Sequence, residues 1–234
     1  MNIADIRRDY AGADLHRAQL EADPLAQFEK WFAEAGADRS RSYWRRVGIA
    51  LFKLWHAVLG HTPPDVNAMV LATADKNGIP SSRTVLLKGV DERGFIFFTN
   101  YDSRKGRELA ANDNAALNFY WPELERQVCV AGRMEKVSPA ESEKYFHSRP
   151  RGSQLSAWAS NQSDIVADRA ALEARWAAME KKFPGAISLP PNWGGYVLKP
   201  QRIEFWQGRP SRLHDRFQYR RQPDNTWTLE RLAP

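Results

Sequence analysis

Three short β patterns stand one after another between residues 68 and 100, with gaps only a turn long. Residues 68–74 (AMVLATA) read as a strand, and Lys76-Asn77-Gly78 as the turn that ends it. Residues 82–90 (SRTVLLKGV) read as a second strand, 91–94 as a turn, and 95–100 (FIFFTN) as a third. Parallel neighbours need a long crossover, so gaps this short call for antiparallel hairpins. Further strand patterns at 116–121, 127–137, 196–206, 217–220 and 226–229 bring the count to about seven or eight. The expected fold is mainly β with helices (α+β): an antiparallel barrel or sandwich with helical additions, not a doubly wound sheet.

Helices are expected around this framework. Asp23 is a good N-cap and Pro24 suits the first helical position, with Leu25, Phe28, Trp31 and Phe32 at helical spacing and Gly36 as the stop. Residues 39–60 form a second helical pattern, ended by Pro63-Pro64. Ser103 caps a short helix over 103–111, Glu141 completes a capping box over 138–147, and 168–183 reads as an amphipathic helix.

The chain has 234 residues, enough for one large domain with a real core. Its 34 Lys and Arg against 28 Asp and Glu leave a net charge of +6, which favours anionic partners. One cysteine, Cys129, excludes an internal disulfide; lying in a strand pattern, it is expected to be a buried small hydrophobe. No secretory leader and no long apolar run is seen, so a cytoplasmic protein without membrane contact is expected.

Three groups of cations could carry chemistry. Ser103-Arg104-Lys105 opens a helix, where free N–H groups and the dipole suit phosphate. Residues 145–153 (YFHSRPRGS) gather a phenol, an imidazole, two guanidiniums and hydroxyls, a donor set for an anion or simply a basic helix end. Alternation would place Arg212, His214 and Arg216 on one face of an extended segment, with the neighbouring cations opposing protonation of His214. The glycine-rich dinucleotide and phosphate loops, HExxH and GxSxG are all missing, and no metal site is expected. Phe95, Phe97 and Phe119 alternate like core residues, which argues against a nucleic-acid surface.

Taken together these segments resemble the pyridoxamine/pyridoxine 5′-phosphate oxidase family. The resemblance rests on RRDY at 7–10, ADPLAQFEKWF at 22–32, SRTVLLKG at 82–89, FFTNYDSRKGREL at 97–109 and LERQVCVAG at 124–132. It continues with EKYFHSRPRGSQLSAWASNQS at 143–163, NWGGY at 192–196, IEFWQG at 203–208, RLHDRF at 212–217 and ERLAP at 230–234. It implies an FMN-binding split β-barrel, homodimeric, with FMN at the subunit interface. Arg83, Thr84, Val85, Leu86, Leu87, Lys88, Phe98 and Thr99 would then line the flavin. Arg104, Lys105, Gln162 and Ser163 would hold its phosphate and ribityl chain, and Gln127, Trp206 and Arg216 would border its ring. Lys88, Tyr145, Arg149 and Ser153 would hold the phosphate of a B6 vitamer. Arg212, Leu213 and His214 would face the substrate ring, with Arg212 and His214 as the catalytic pair, and Arg7, Arg8, Asp9 and Tyr10 would close over it. The implied reaction oxidises the vitamer phosphate to pyridoxal 5′-phosphate, with O2 as acceptor and H2O2 as product.

By the same resemblance the chain is a single domain over 1–234, with an N-terminal lid at about 1–22 and a helical insert at about 37–62. The insert is expected to pack on its own barrel or across the dimer; its Arg39, Arg41, Arg45, Arg46 and Lys53 also allow a membrane-surface helix. Asp9 stands where Glu is expected and Phe98 where Tyr is common. The competing readings are a split-barrel flavin oxidoreductase with another substrate and a non-catalytic FMN or pyridoxal phosphate binder.

Overall fold

The computed structural model describes residues 2, 3, 9–46 and 65–234, with the backbone alone for 38–46. Arg7, Arg8 and the stretch 47–62 of the expected insert lie outside the described residues.

Helix α1 is Pro24–Arg46. It starts where the sequence places it: the Asp23 carboxylate accepts the N–H groups of Leu25 (3.2 Å) and Ala26 (3.4 Å). It does not stop at Gly36. Nothing lies within 4 Å of where a Cβ would sit there, and the residue stays helical. A helical glycine costs only about 1 kcal/mol, too little to end a helix whose next residues continue it. The expected separate segment from 37 is therefore, as far as Arg46, the same helix. Gly36→Ala should stabilise the protein by about 0.5–1 kcal/mol, read as a higher urea midpoint at unchanged slope.

Among the described residues nine strands follow: β1 Ala68–Ala74, β2 Pro80–Leu86, β3 Gly89–Asp91, β4 Gly94–Asn100, β5 Asn114–Trp121, β6 Arg126–Lys136, β7 Trp193–Gln207, β8 Asp215–Arg221 and β9 Trp227–Leu232. They pair in the order β2-β1-β5-β6-β7-β4-β3, with β8 on β7 and β9 on β8. The β3–β4, β4–β7, β7–β8 and β8–β9 pairings are antiparallel, as expected. The expected strand 82–90 is in fact two. The ladder breaks at Leu87 and Lys88, where Leu87 turns inward and the Lys88 N–H bonds the Ile96 carbonyl at 2.8 Å.

Helices α2 (Arg104–Ala111) and α3 (Pro139–Ser148) carry the expected caps, Ser103 and the Ser138/Glu141 box. Helix α4 (Arg151–Ala159) was not expected. It begins directly after Pro150, so the motif at 145–153 is a helix–Pro–helix corner, not one helix end. Helix α5 (Arg169–Lys182) is capped by Asp168, but none of its residues is buried. Only Trp176 and Met179 rest on the cluster of Phe146, Leu155, Ile187 and Trp193, so the expected amphipathic face is narrow. No helix among the described residues is long and apolar enough to cross a membrane.

The chain divides into two compact units. One comprises Met1–Val70, Leu117–Ala131 and Pro200–Pro234. Its core is aromatic: Phe28 meets Phe119 at 4.9 Å, and Phe205 packs edge-on to Trp31 (5.1 Å) and Tyr219 (5.7 Å). The other comprises Leu71–Ala116 and Gly132–Lys199, around Leu71, Phe95, Phe97, Leu109 and Leu198. In it, β7 runs close against its neighbours because Gly195 has no side chain: a Cβ there would lie 2.7 Å from the Phe98 ring and 2.6 Å from Val137.

Candidate active site

The second unit holds a cavity of about 970 Å³, large enough for two small ligands together. Arg83, Thr84, Val85, Leu86, Lys88, Phe98, Thr99, Arg104, Lys105, Tyr145, Arg149, Ser153, Gln162 and Ser163 all line it. Leu87 does not; its side chain is buried in the core. Two cationic centres stand in this one cavity.

The first is built on β2 and the N-terminus of α2. Lys105 is buried, and its ammonium donates to Gln162 Oε1 (2.6 Å), Thr99 Oγ1 (3.0 Å) and Ser103 Oγ (3.2 Å). Burial pushes its pKa down to about 8; nearby Arg83 pushes the same way and Glu108 opposes. The Arg104 N–H meets Ser163 Oγ at 3.2 Å. Between these cations sits Glu108, a residue that the sequence reading passed over. It is buried, and accepts from Thr73 (2.5 Å), Ser81 (2.6 Å), Arg104 Nε (2.9 Å) and Arg83 Nη2 (3.2 Å). Burial alone would raise its pKa, but the hydrogen bonds from Ser81, Thr73, Arg104 and Arg83 outweigh burial and hold it at about 2. Its available signal was the i,i+4 spacing from Arg104.

The sign of its contribution follows. A carboxylate depressed from 4.5 to about 2 stabilises the fold above pH 4.5 and loses that contribution as pH falls towards 2. Glu108→Gln should destabilise the protein by about 3 kcal/mol at neutral pH, a difference that closes in acid, read by denaturation at several pH values.

The second centre is Arg149, between α3 and α4. Its guanidinium lies 4.6 Å over the Trp193 ring, and Phe98 stacks on Tyr145 at 3.9 Å beside it. Burial lowers the Arg149 pKa, and its buried Nη1 has no hydrogen-bond partner. A buried donor left unpaired costs about 1–3 kcal/mol, so the atom marks a place for an acceptor. Trp193, also missed from the sequence, lines the cavity and holds this cation in place. Arg151, named with Arg149 as a candidate cation, instead bonds the carbonyls of Gly185 (2.6 Å) and Phe183.

Asp9, Tyr10, Gln127, Trp206, Arg212, Leu213, His214 and Arg216 belong to the first unit. Here the extended reading of 212–216 fails. Pro210–Arg212 is a 3₁₀ turn, with Ser211 (φ 56°) and Arg212 (φ 63°) both left-handed, so Arg212, His214 and Arg216 do not share one strand face. Arg216, the second residue of β8, stands opposite Trp206 and is engaged by Glu204 at 2.8 and 3.1 Å. His214 packs on Trp206 (4.7 Å) and edge-on to Tyr10 (5.5 Å), and its Nδ1 accepts the Arg209 N–H at 3.0 Å. Burial lowers its pKa, with Arg212 acting in the same sense, and both favour the neutral imidazole. Gln127 donates to Cys129 Sγ (3.2 Å); the thiol is half-buried, not fully buried as expected, and burial raises its pKa. No cluster of metal-ligating side chains occurs among the described residues.

Comparison with known proteins bears on this geometry. A family model described as pyridoxamine 5′-phosphate oxidase matches residues 62–183, and one described as the pyridoxine 5′-phosphate oxidase C-terminal dimerisation region matches 193–234. The pyridoxine/pyridoxamine 5′-phosphate oxidase 1 of Ralstonia nicotianae is 57% identical over 100% of this chain and 99% of its own length. A relative of the same description from Herminiimonas arsenicoxydans is 53% identical over the whole of both chains. Both alignments run through 37–62, so these relatives carry a segment there too. Among solved structures, PhzG from Burkholderia lata, with bound tetrahydrophenazine-1-carboxylic acid, superposes with a TM-score of 0.79 at 31% identity, over 95% of this chain and 99% of that one. A pyridoxamine 5′-phosphate oxidase-related, FMN-binding protein from Nostoc punctiforme shares the fold at a TM-score of 0.59 and 21% identity, over 82% of this chain and 97% of that one. With one family model covering more than half the chain and full-length relatives above 50% identity, the chain belongs to the pyridoxamine 5′-phosphate oxidase family.

Proposed function

We propose that this protein oxidises pyridoxine 5′-phosphate or pyridoxamine 5′-phosphate to pyridoxal 5′-phosphate, with dioxygen as the acceptor. The observation that carries this reading is the pair of cationic centres in one cavity, the second of them Arg149, whose buried Nη1 has no hydrogen-bond partner. FMN is the cofactor that family membership brings, and the first centre fits its phosphate: an ammonium, two guanidiniums and a helix N-terminus round one corner of the cavity. When bound, FMN supplies a two-electron acceptor that dioxygen reoxidises to give hydrogen peroxide.

In this reading Arg83, Arg104, Lys105, Gln162 and Ser163 bind the FMN phosphate and ribityl chain. The β2 residues and Thr99 run along the flavin, and Gln127, Trp206 and Arg216 border it. Arg149, Lys88, Tyr145 and Ser153 take the phosphate of the vitamer, which fixes the direction of its C4′ carbon. Arg212 orients the pyridine ring and balances charge at its reacting end. With Nδ1 occupied by the Arg209 N–H, His214 serves as a hydrogen-bond donor through Nε2, not as a base. The alcohol substrate gives up a hydride equivalent from C4′ and its hydroxyl proton; the amine gives up a hydride equivalent from C4′ and a proton from nitrogen to leave an imine, which water converts to aldehyde and ammonia. The chain matches the family's C-terminal dimerisation region; a homodimer with FMN at the subunit interface is proposed. Residues 1–234 act as one functional domain, the N-terminal segment closing over the substrate.

The likeness to PhzG supports a second reading, oxidation of a partly reduced aromatic acid. Steady-state rates separate the two. The proposal expects kcat/KM for pyridoxine 5′-phosphate to exceed that for unphosphorylated pyridoxine by a factor of about 10² or more, the worth of a buried charge pair. Equal rates on both, or preferred turnover of tetrahydrophenazine-1-carboxylic acid, would overturn it.

A further inference from the structure

Arg209 lies just past β7, outside every group that the family resemblance singles out. Its backbone N–H donates to His214 Nδ1 at 3.0 Å. Its side chain reaches back to the N-terminal segment: Nη1 donates to the Gly12 carbonyl, and Nη2 pairs with Asp14. Its Nε stands 3.6 Å from Oδ2 of Asp215, the first residue of β8. That same Oδ2 accepts the Leu15 N–H at 3.1 Å, while Oδ1 takes Arg231 at 2.8 Å. One residue thus joins residues 12–15, the start of β8 and the imidazole between them.

The path of residues 10–15 is shaped to lie there. A Cβ on Gly12 would fall 2.3 Å from Gln207 Nε2 and 2.6 Å from the Gly208 carbonyl. A Cβ on Gly208 would fall 2.8 Å from the Tyr10 ring. Two glycines facing one another let the segment lie flat on the end of β7. Tyr10 then sits edge-on to Trp206 (5.4 Å) and His214, and the Ala11 N–H bonds Glu125 Oε2 at 2.8 Å. His214 is therefore covered by a strap whose far side is fastened by Arg209.

We propose that Arg209 is a positioning residue, a clasp that sets how firmly the strap at 10–15 closes over His214 and so how tightly substrate is retained. The inference rests on the proposed function for its kinetic consequence only; the clasp itself rests on contacts within one compact unit. The guanidinium geometry matters. Arg presents a fork that meets a carbonyl and two carboxylates at once, whereas a lysine ammonium in the same place reaches one or two of them. The backbone N–H to His214 survives any side-chain substitution, so variants at 209 change the strap without changing the imidazole's tautomer.

The test uses the full-length, FMN-loaded homodimer as wild type, R209A, R209K, D14N and the R209A/D14N double variant. Amide hydrogen exchange over 11–15 and steady-state kinetics with pyridoxine 5′-phosphate are read together. R209A is expected to speed exchange over 11–15 about tenfold, with β7 and β8 unchanged, which is the loss of one partly exposed charge-assisted contact. KM should rise by about the same factor while kcat stays within about twofold, because binding is loosened and the chemical step is not. R209K should recover part of both effects, and the double variant should go little beyond R209A, since Asp14 acts through Arg209. Unchanged exchange over 11–15, exchange raised equally across β8, or a raised exchange with KM unaltered would each overturn the clasp. If R209A does not fold, D14N alters a half-exposed carboxylate and carries the same readings. If the wild type turns over neither vitamer phosphate, the substrate reading fails, while the exchange data still decide whether Arg209 fastens the strap.

Discussion

Arg149→Met should leave the ligand-free protein at least as stable as the wild type and reduce kcat/KM for pyridoxine 5′-phosphate by a factor of about 10²–10³. The two halves come from one cause. In the ligand-free protein the guanidinium is partly desolvated, with burial lowering its pKa and the buried Nη1 without a hydrogen-bond partner. Methionine keeps most of the aliphatic stem and still packs against Trp193, while the buried unpaired donor disappears, a gain of about 1 kcal/mol. In the proposed reading, what is lost is the partner of a phosphate dianion in a site lined by Trp193, Tyr145 and Phe98. Truncating one member of such a buried charge pair costs about 2–5 kcal/mol of binding. Most of the loss should appear in KM, because the phosphate is held equally in ground and transition states. A variant less stable than wild type by more than about 1 kcal/mol, with kcat/KM intact, would make Arg149 a structural residue.

Lys105→Met should raise the Kd for FMN by about 10²-fold or more, again the worth of a buried charge pair. The wild type adds a pH signature of two opposite signs. The ammonium is buried and its pKa has fallen to about 8 from 10.5. Below pH 8 the folded protein bears the whole cost of burying the charge; above it the folded state sheds its proton before the unfolded chain does. Stability of ligand-free wild type should therefore rise as pH goes from 8 to 9.5, by about 2 kcal/mol, and the variant should lack that rise. FMN affinity should move the other way, falling up to about tenfold per pH unit above 8, because the phosphate needs the protonated amine. An affinity for FMN that is level from pH 7 to 9.5 would mean that Lys105 does not meet the phosphate.

Much of this was legible from the sequence because it depends on local chemistry. Short gaps such as Lys76-Asn77-Gly78 dictate hairpins, and Ser103, Ser138 with Glu141, and Asp168 cap helices through neighbours three residues away. The misses have local causes too. Gly36 carries the composition of a stop but sits in open space on a helix face, where its penalty is small. Pro150 ends one helix and begins the next, which pattern reading merged into one motif. The left-handed pair Ser211 and Arg212 breaks the alternation assumed for 212–216, and neither residue type announces it. In the site, cations were visible as clusters, but their partners were not. Glu108 lies 25 positions from Arg83, and Trp193 lies far along the chain from Arg149, so their roles come from tertiary packing alone. Arg209 is similar: its partners at 12 and 14 are nearly 200 residues away.

The most direct measurement of the central claim is the visible spectrum of the FMN-loaded protein under anaerobic conditions, before and after one equivalent of pyridoxine 5′-phosphate. The account predicts that the flavin band bleaches, returns when air is admitted, and leaves pyridoxal 5′-phosphate and hydrogen peroxide in solution. A flavin band that stays unchanged with both pyridoxine 5′-phosphate and pyridoxamine 5′-phosphate would contradict it, leaving a flavin-binding member of the family whose second cationic centre serves another anion.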